Sequence, residues 1–348
     1  MIAEHSSFND LLGHLASQST VALDTEADSL HCYFEKLCLI QLGSDQQFHL
    51  MDPLAGLPLE KLFTALNGKR LIFHDADYDL RLLRRSGEFP DNDIFDTMIA
   101  ARLCGEPHLG LSALVEKYFH VTLSKASRKA NWGLRPLSSQ MVTYAINDVR
   151  YLFDLADILN ERLEEFERME WFYQSRDRML RATRGTKTRD EDSLWRLSGY
   201  SKLPPQSWAV LKALWLWRDA EARQWDKPAF YIMSNHELLQ AAEFAPLEKS
   251  FKRPRLTQTV LQRFEEVLAE ALALSEESWP QPLLSVRTHV TKQERDRFKK
   301  LKDHRDRVAY DLNLDPSIIA SNSAMEITVR NPEVPVLLPW QQSLLGLD

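Results

Sequence analysis

The sequence predicts an α/β domain over about residues 1–170, followed by two small all-helical modules. Three observations carry this. Short apolar and β-branched runs, the mark of strands, come early and are then interleaved with helical periodicity. Beyond residue 170 the strand signal disappears. Two helical blocks then follow, and they resemble each other at a constant displacement.

Residues 20–24, 37–42 and 47–51 read as strands, with Gly43-Ser44-Asp45 as a hairpin turn between the last two. A helix follows near 58–66, then a strand at 70–73. Residues 76–86 read as helix, with Leu80, Leu82 and Leu83 on its apolar side. Residues 92–96 read as a short strand feeding a helix at 97–104, and more helix follows at 111–119 and across 138–168. The segment 170–190 is basic, contains Gly185 and suits a connector. The helical blocks then flank Trp279-Pro280-Gln281-Pro282. Arg218-Asp219, Ala222 and Ser234-Asn235 recur 87 positions later as Arg305-Asp306, Ala309 and Ser321-Asn322. Pro228 and Pro316 are one step out of that register. Ser234…Glu237 and Thr291…Glu294 have capping-box spacing, so helices should begin there. The resulting division is 1–170, a basic linker at 171–193, a module at 194–278 and a second at 283–348.

Composition narrows the classes. A chain of 348 residues is too long for one small core, and 44% hydrophobic with 27% charged residues is ordinary for a globular protein. No run of about 18 apolar residues is present, so no membrane helix is expected. The N-terminal residues lack the basic-then-apolar pattern of a signal peptide. Three cysteines without a Cys-x-x-Cys pair disfavour zinc and disulfide frameworks and fit the cytoplasm. The net charge of −7 argues weakly against nucleic-acid binding, unless acids gather at a metal site and bases elsewhere. Basic residues do gather at Arg176, Arg178, Arg181, Arg184, Lys187 and Arg189, and at Lys249, Lys252, Arg253 and Arg255. A solvated face and a phosphate-binding face are equal readings of each stretch.

The chemistry lies in the acids. Asp24-x-Glu26 follows an apolar run, and alternate residues of a strand point to one face, so both carboxylates would converge while Thr25 turns away. Asp79 stands in His74-Asp75-Ala76-Asp77-Tyr78-Asp79. Tyr144 and Asp148 are one helical turn apart and share a face. Oxygen-only ligands suit hard cations, and two of them can activate a water and stabilise the leaving oxygen of a phosphodiester. The phenol, with an ordinary pKa near 10, is suited to orienting the water rather than to acting as base. Each acid alone reads first as an ordinary surface or helix-start residue; the ordered combination is what is specific.

That combination resembles the DEDD superfamily of 3′→5′ exonucleases, in its tyrosine-bearing branch. Asp24-Thr25-Glu26 matches the first motif, Asp79 after His74 the second, and Tyr144-x-x-x-Asp148 the third. Cys38-Leu39-Ile40-Gln41-Leu42, Phe95-Asp96-Thr97, Trp132 with Arg135-Pro136-Leu137-Ser138, and the run from Tyr144 to Leu152 resemble the ribonuclease D family in particular. Ala130-Asn131 before Trp132 departs from the usual Ser/Thr-Asp. Leu211 to Leu214, Trp217-Arg218-Asp219 and Asp226-Lys227-Pro228 resemble an HRDC domain. The second copy departs further, with Asp315-Pro316 and no tryptophan before Arg305.

The resemblance implies a ribonuclease H-like exonuclease domain, a mixed sheet flanked by helices, followed by two HRDC-type domains. It implies that Asp24, Glu26, Asp79 and Asp148 hold two divalent ions, Mg²⁺ or Mn²⁺, with Tyr144 positioning the water. It makes Leu30 an apolar wedge against the terminal base, with a core leucine as the equal alternative. His74 near the substrate is read chiefly as a structural hydrogen-bonder. The implied partner is RNA, the 3′ ends of precursor tRNA and other small structured RNAs, trimmed to nucleoside 5′-monophosphates by a protein that need be no more than a monomer. Two rivals stand beside this: a DNA-directed exonuclease of the same superfamily, and a non-catalytic RNA-binding protein on a dead nuclease fold.

Overall fold

The computed structural model describes residues 2–45, 47–185, 190–251, 254, 257–282 and 291–347. Its sheet has five strands, β1 (Thr20–Ala27), β2 (Leu37–Ser44), β3 (Gln47–Met51), β4 (Arg70–Phe73) and β5 (Asp93–Asp96), in the order β3-β2-β1-β4-β5. The sheet is mixed: β1 is antiparallel to β2 and parallel to β4, and β4 is parallel to β5. Eight helices accompany it: α1 (His5–Ala16), α2 (Leu59–Leu66), α3 (Asp77–Ser86), α4 (Thr97–Leu103), α5 (Leu111–Phe119), α6 (Ser139–Arg150), α7 (Leu152–Glu165) and α8 (Met169–Arg184).

Strand periodicity builds two cores. Val21 and Leu23 of β1 enter one with Phe8, Leu11, Leu62, Leu80 and Leu83. Ala22 enters the other with Val149, Leu155, Leu159 and Ala100. Every residue of β2 is buried, as expected of a strand covered on both faces.

Several expectations are corrected. The strand expected to end at Asp24 runs through Glu26 to Ala27, so both acids lie inside it. Its register on β2 slips between Glu26 and Ala27, a bulge that re-aims the strand end. Gly43 and Ser44 are strand rather than turn. A Cβ on Gly43 would stand 3.4 Å from that of Ala22, so close packing explains the glycine. The long helical run 138–168 breaks at Tyr151. Helix α1 lies outside the sequence reading. The segment expected as a connector is helix through Arg184, because Phe172 is buried and Met179 and Leu180 pack on the first core. Arg176 and Arg184 of that segment pair with the exposed acids Asp93 and Asp91. Lys187, Arg189, Lys252, Arg253, Arg255 and the start of the second module, 283–290, lie outside the described residues.

The chain divides into two compact units. One comprises 28–36 and 186–287. It holds α9 (Glu191–Leu194), α10 (Pro205–Gln224), α11 (Ala229–Ile232), α12 (Asn235–Phe244) and α13 (Gln258–Leu272) around Trp195, Trp217, Leu211 and Phe264. Asp219 accepts from the Tyr33 hydroxyl at 2.9 Å, and Asp226 accepts from the backbone N–H groups of Tyr33 and Phe34 at 3.0 Å each.

The other unit joins the sheet and its helices to α14 (Lys292–Asp311), α15 (Pro316–Ile319), α16 (Asn322–Arg330) and α17 (Pro339–Leu345). Leu338 and Trp340 complete the second core of the sheet domain, and Trp340 stacks on Trp171 at 4.7 Å. Arg168 donates to the Leu312 carbonyl at 2.8 Å. Gly105, at φ +79°, leaves room for the Asn313 carbonyl, which a Cβ would meet at 2.6 Å.

The repeat is structural. Helices α10, α11 and α12 begin 87 positions before α14, α15 and α16. Buried Arg218 donates to the Met233 carbonyl at 2.9 Å and to Asn235 Oδ1 at 2.7 Å. Arg305 repeats this on Ala320 and Asn322 at 2.7 and 3.2 Å. The capping boxes at Ser234/Glu237 and Thr291/Glu294 both form. Pro228 caps α11 from outside whereas Pro316 is the first residue of α15, which accounts for the single-step offset.

Candidate metal centre

Strand β1 and helix α6 bring three acids together. Asp24, Glu26 and Asp148 each offer a carboxylate oxygen, and these oxygens lie within 4.8 Å of one another. Asp24 and Glu26 converge because they alternate along β1. Asp148 reaches them from α6, whose start is capped by Ser138 accepting from the Met141 N–H at 3.2 Å. One turn earlier on α6, the Tyr144 hydroxyl bonds the Asp148 carboxylate. The Tyr144 ring stands 6.0 Å from that of buried Trp132.

Asp79 is not in that group of three. It comes from α3 and is 5% exposed. Thr25, which alternation turns to the other side of β1, donates its hydroxyl to Asp79 Oδ1. The start of α3 is set by Asp96, whose carboxylate accepts four backbone N–H bonds. Two come from Asp75 and Ala76 at 3.2 and 2.8 Å, and two from Met98 and Ile99 at 2.8 and 3.1 Å. One side chain thus ties the start of α3 to that of α4 and holds Asp75 in a left-handed turn at φ 66°.

The remaining candidates separate. His74 bonds Thr97 Oγ1 through Nδ1 at 2.9 Å and also contacts the Leu109 backbone. Burial pushes its pKa down to about 4, so it is a neutral strut between chain segments. Leu30 is 47% exposed, which removes the core-leucine reading.

The electrostatics of the cluster are adverse without a ligand. Burial, then the negative neighbours Asp148 and Asp79, push Glu26 up to about 9. Burial holds Asp79 and Asp148 near 7, although Thr25 and Tyr144 pull the other way by hydrogen bonding. Asp24 is raised well above the carboxylate range by burial and by Asp79, Asp148 and Glu26. Among the described residues no Lys or Arg forms an ion pair with any of the four. Oxygen donors of one sign, gathered and left without a counter-charge, fit a hard divalent cation.

Three residues that matter here carry no role in the sequence reading. Gln41, directly across from Asp24 on β2, donates to Asp24 Oδ2 at 3.2 Å. A lone amide inside the apolar run 37–42 was the available signal. Thr25 was taken as merely turned away. Asp96 appears in the sequence as one more acid before a helix, and only the fold shows that it caps two segments.

Comparisons with known proteins follow this geometry. The family model described as 3′-5′ exonuclease matches residues 1–164, and that for the HRDC domain matches 207–250. Ribonuclease D of Zymomonas mobilis is 31% identical over 294 residues, 81% of this chain and 75% of the relative. Ribonuclease D of Xanthomonas oryzae is 29% identical over 344 residues, covering 95% and 92%. In fold, the chain is similar to Escherichia coli RNase D, described as an exoribonuclease involved in structured RNA processing. The TM-score is 0.71 at 23% identity, covering 100% of this chain and 97% of that one.

Proposed function

The chain belongs to the ribonuclease D family, and from that premise we propose that its acid cluster is the catalytic centre of a 3′→5′ exoribonuclease working with two divalent ions. The observation that carries this is the convergence of Asp24, Glu26 and Asp148 within 4.8 Å, with no Lys or Arg ion-paired to them among the described residues.

Bound Mg²⁺ or Mn²⁺ would supply an activated water and take up charge on the leaving 3′ oxygen. Asp24, Glu26 and Asp148 would hold the ion on the nucleophile side, and Asp24 would also help hold the other ion. Asp79, anchored by Thr25 and the strongest charged neighbour of Asp24, would support that second ion. Tyr144 acts as an orienting group. Burial and the charges of Asp148, Glu26 and Asp24 push its phenol well above the usual range, so it keeps its proton, donates it in a hydrogen bond to Asp148 and leaves its oxygen to accept from the attacking water. Leu30, exposed in the segment that follows β1, would meet the terminal base.

The substrate class is the 3′ end of structured RNA, precursor tRNA among the candidates, cut to nucleoside 5′-monophosphates by a monomer. In this reading the nuclease domain occupies 1–170, the first helical module is an HRDC domain at 194–278 and the second, at 283–348, is its diverged copy. Exposed basic residues of α14, among them Lys299 and Arg307, give the second module a face for phosphate. No helix among the described residues is long and apolar enough to cross a membrane.

The test is a digest of one RNA labelled at its 5′ or its 3′ end, with Mg²⁺ or Mn²⁺ and with chelator. Stepwise shortening of the 5′-labelled strand, with immediate release of the 3′ label as mononucleotide, is expected only with metal. Internal cuts, or shortening in chelator, would overturn the reading.

A further inference from the structure

Three of the four acids have hydrogen-bond partners, and among the described residues none of these is charged. Asp24 receives the Gln41 amide at 3.2 Å, Asp79 the Thr25 hydroxyl and Asp148 the Tyr144 hydroxyl. Each donor is neutral. Gln41 is fully buried in a strand that is otherwise apolar or small, and its Oε1 has no hydrogen-bond partner among the described residues. A buried amide with one end unsatisfied is destabilising relative to a well-packed apolar residue. The reverse orientation would set its oxygen against the Asp24 carboxylate, so the amide group must face Asp24. A core residue chosen for packing would not be a glutamine here. The one thing Gln41 supplies is an N–H on one oxygen of Asp24. That bond fixes the carboxylate and leaves its charge intact.

We propose that Gln41 and Thr25 are positioning residues that orient Asp24 and Asp79 for divalent cations through uncharged donors. The inference rests on the metal-dependent reading above. A lysine or arginine at either place would hold the same carboxylate equally well but would cancel the charge that draws the ion.

The experiment is a titration of the full-length protein with Mn²⁺ alone, read by calorimetry or by loss of the free-ion EPR signal, with circular dichroism to confirm the fold. Gln41→Leu should weaken Mn²⁺ binding by about 10-fold, within the range for loss of a residue that orients a metal ligand. Gln41→Lys should weaken it further. Thr25→Val, which keeps shape and removes the hydroxyl, should also weaken it by about 10-fold, and Thr25→Ser should restore it. Folded Gln41→Leu and Thr25→Val proteins that bind Mn²⁺ as wild type does would overturn the proposal. A folded Gln41→Lys protein that binds as tightly as Gln41→Leu would overturn its charge argument. If Gln41→Leu does not fold, the Thr25→Val and Thr25→Ser pair decides. Wild-type protein that binds no Mn²⁺ would instead sink the metal reading. Wild-type protein that binds Mn²⁺ but cuts no RNA would sink the nuclease reading and leave this one standing.

Discussion

Two sets of buried acids sit in the sheet domain, and they are treated in opposite ways. Glu106, with 2% of its side chain exposed, receives Lys117 at 2.6 Å, the Tyr118 hydroxyl at 2.7 Å and the Arg162 guanidinium. Asp52 takes a two-pronged grip from Arg135 at 2.6 and 2.7 Å. The Lys117, Tyr118 and Arg162 bonds outweigh burial and draw Glu106 below the usual carboxylate range. Asp24, Asp79 and Asp148 receive neutral donors, and these three and Glu26 are all pushed up. Glu106 and Asp52, which hold the chain together, are given their counter-charges by it. An acid whose task is to hold an ion is denied one.

The largest effect that can break this contrast is at Asp24. Asp24→Asn should lower RNA turnover by about 10³-fold or more, because the side chain would bridge both ions. In chelator the same variant should melt at or above the wild-type temperature, since it removes one of four acids whose ionisation burial and mutual repulsion oppose. A digest of labelled RNA and a thermal melt measure the two. Wild-type turnover, or a metal-free protein clearly destabilised by the change, would mean that Asp24 is a structural acid like Glu106.

Glu106→Gln is the converse. It removes the acceptor charge of three donors, while Arg162 and Lys117 can still reach water, so the cost is about 2 kcal/mol. The melting temperature should drop by roughly 5 °C. Turnover per folded molecule should stay at the wild-type level, read by kinetics well below the transition.

The contrast was partly legible in the sequence. Asp24, Glu26, Tyr144 and Asp148 were legible because strand alternation and helical i,i+4 spacing are local rules that survive any tertiary arrangement. Asp79 was legible as an acid of the set, but not its placement: its bond to Thr25 joins residues 54 apart in sequence. Gln41 and Asp96 could not be assigned roles because each acts across strands or between helices, and a partner of that kind exists only once the sheet has closed. The helical repeat was legible through Arg218 and Arg305, since buried arginines that bond one carbonyl and one asparagine leave the same residue pattern twice. The attachment of the second copy to the sheet domain was not. It rests on Trp340, Leu338 and the Asn313 carbonyl meeting residues far back in the chain. For the same reason helix α8 was taken for a connector: its charged surface dominates the pattern, and its burial depends on cores built elsewhere.

Tyr144→Phe is a smaller perturbation of the neutral-donor set. It removes a hydroxyl and keeps the ring on Trp132. Turnover should drop about 10-fold, less than the roughly 10²–10⁴ expected of a general acid or base, because the phenol orients the water and does not take its proton. Mn²⁺ affinity should weaken by no more than about 10-fold, as expected for the other neutral donors, so turnover is compared at saturating Mn²⁺. Single-turnover cleavage and a Mn²⁺ titration separate the two. An unchanged rate would remove the phenol from the chemistry and leave it as a strut for Asp148.

The smallest effect, a few degrees in melting temperature, concerns pH, and here the two acid sets have opposite signs. In the metal-free protein Glu26 is raised to about 9 and Asp79 and Asp148 to about 7, against unfolded values near 4. Between those limits the folded chain keeps protons that the unfolded chain has released, so stability falls as pH rises through 7 to 9. Glu106 is depressed, so its contribution is present above its unfolded value and is lost only in acid, as pH falls through its folded value. In chelator the melting temperature should therefore decline from about pH 5.5 to 9. Saturating Mn²⁺ should abolish that decline, since the ion binds the ionised acids and stabilises the folded state more as pH rises. A metal-free melting temperature that is flat or rises over this window would show that the cluster already has a counter-charge, and the distinction between the two sets of acids would fail.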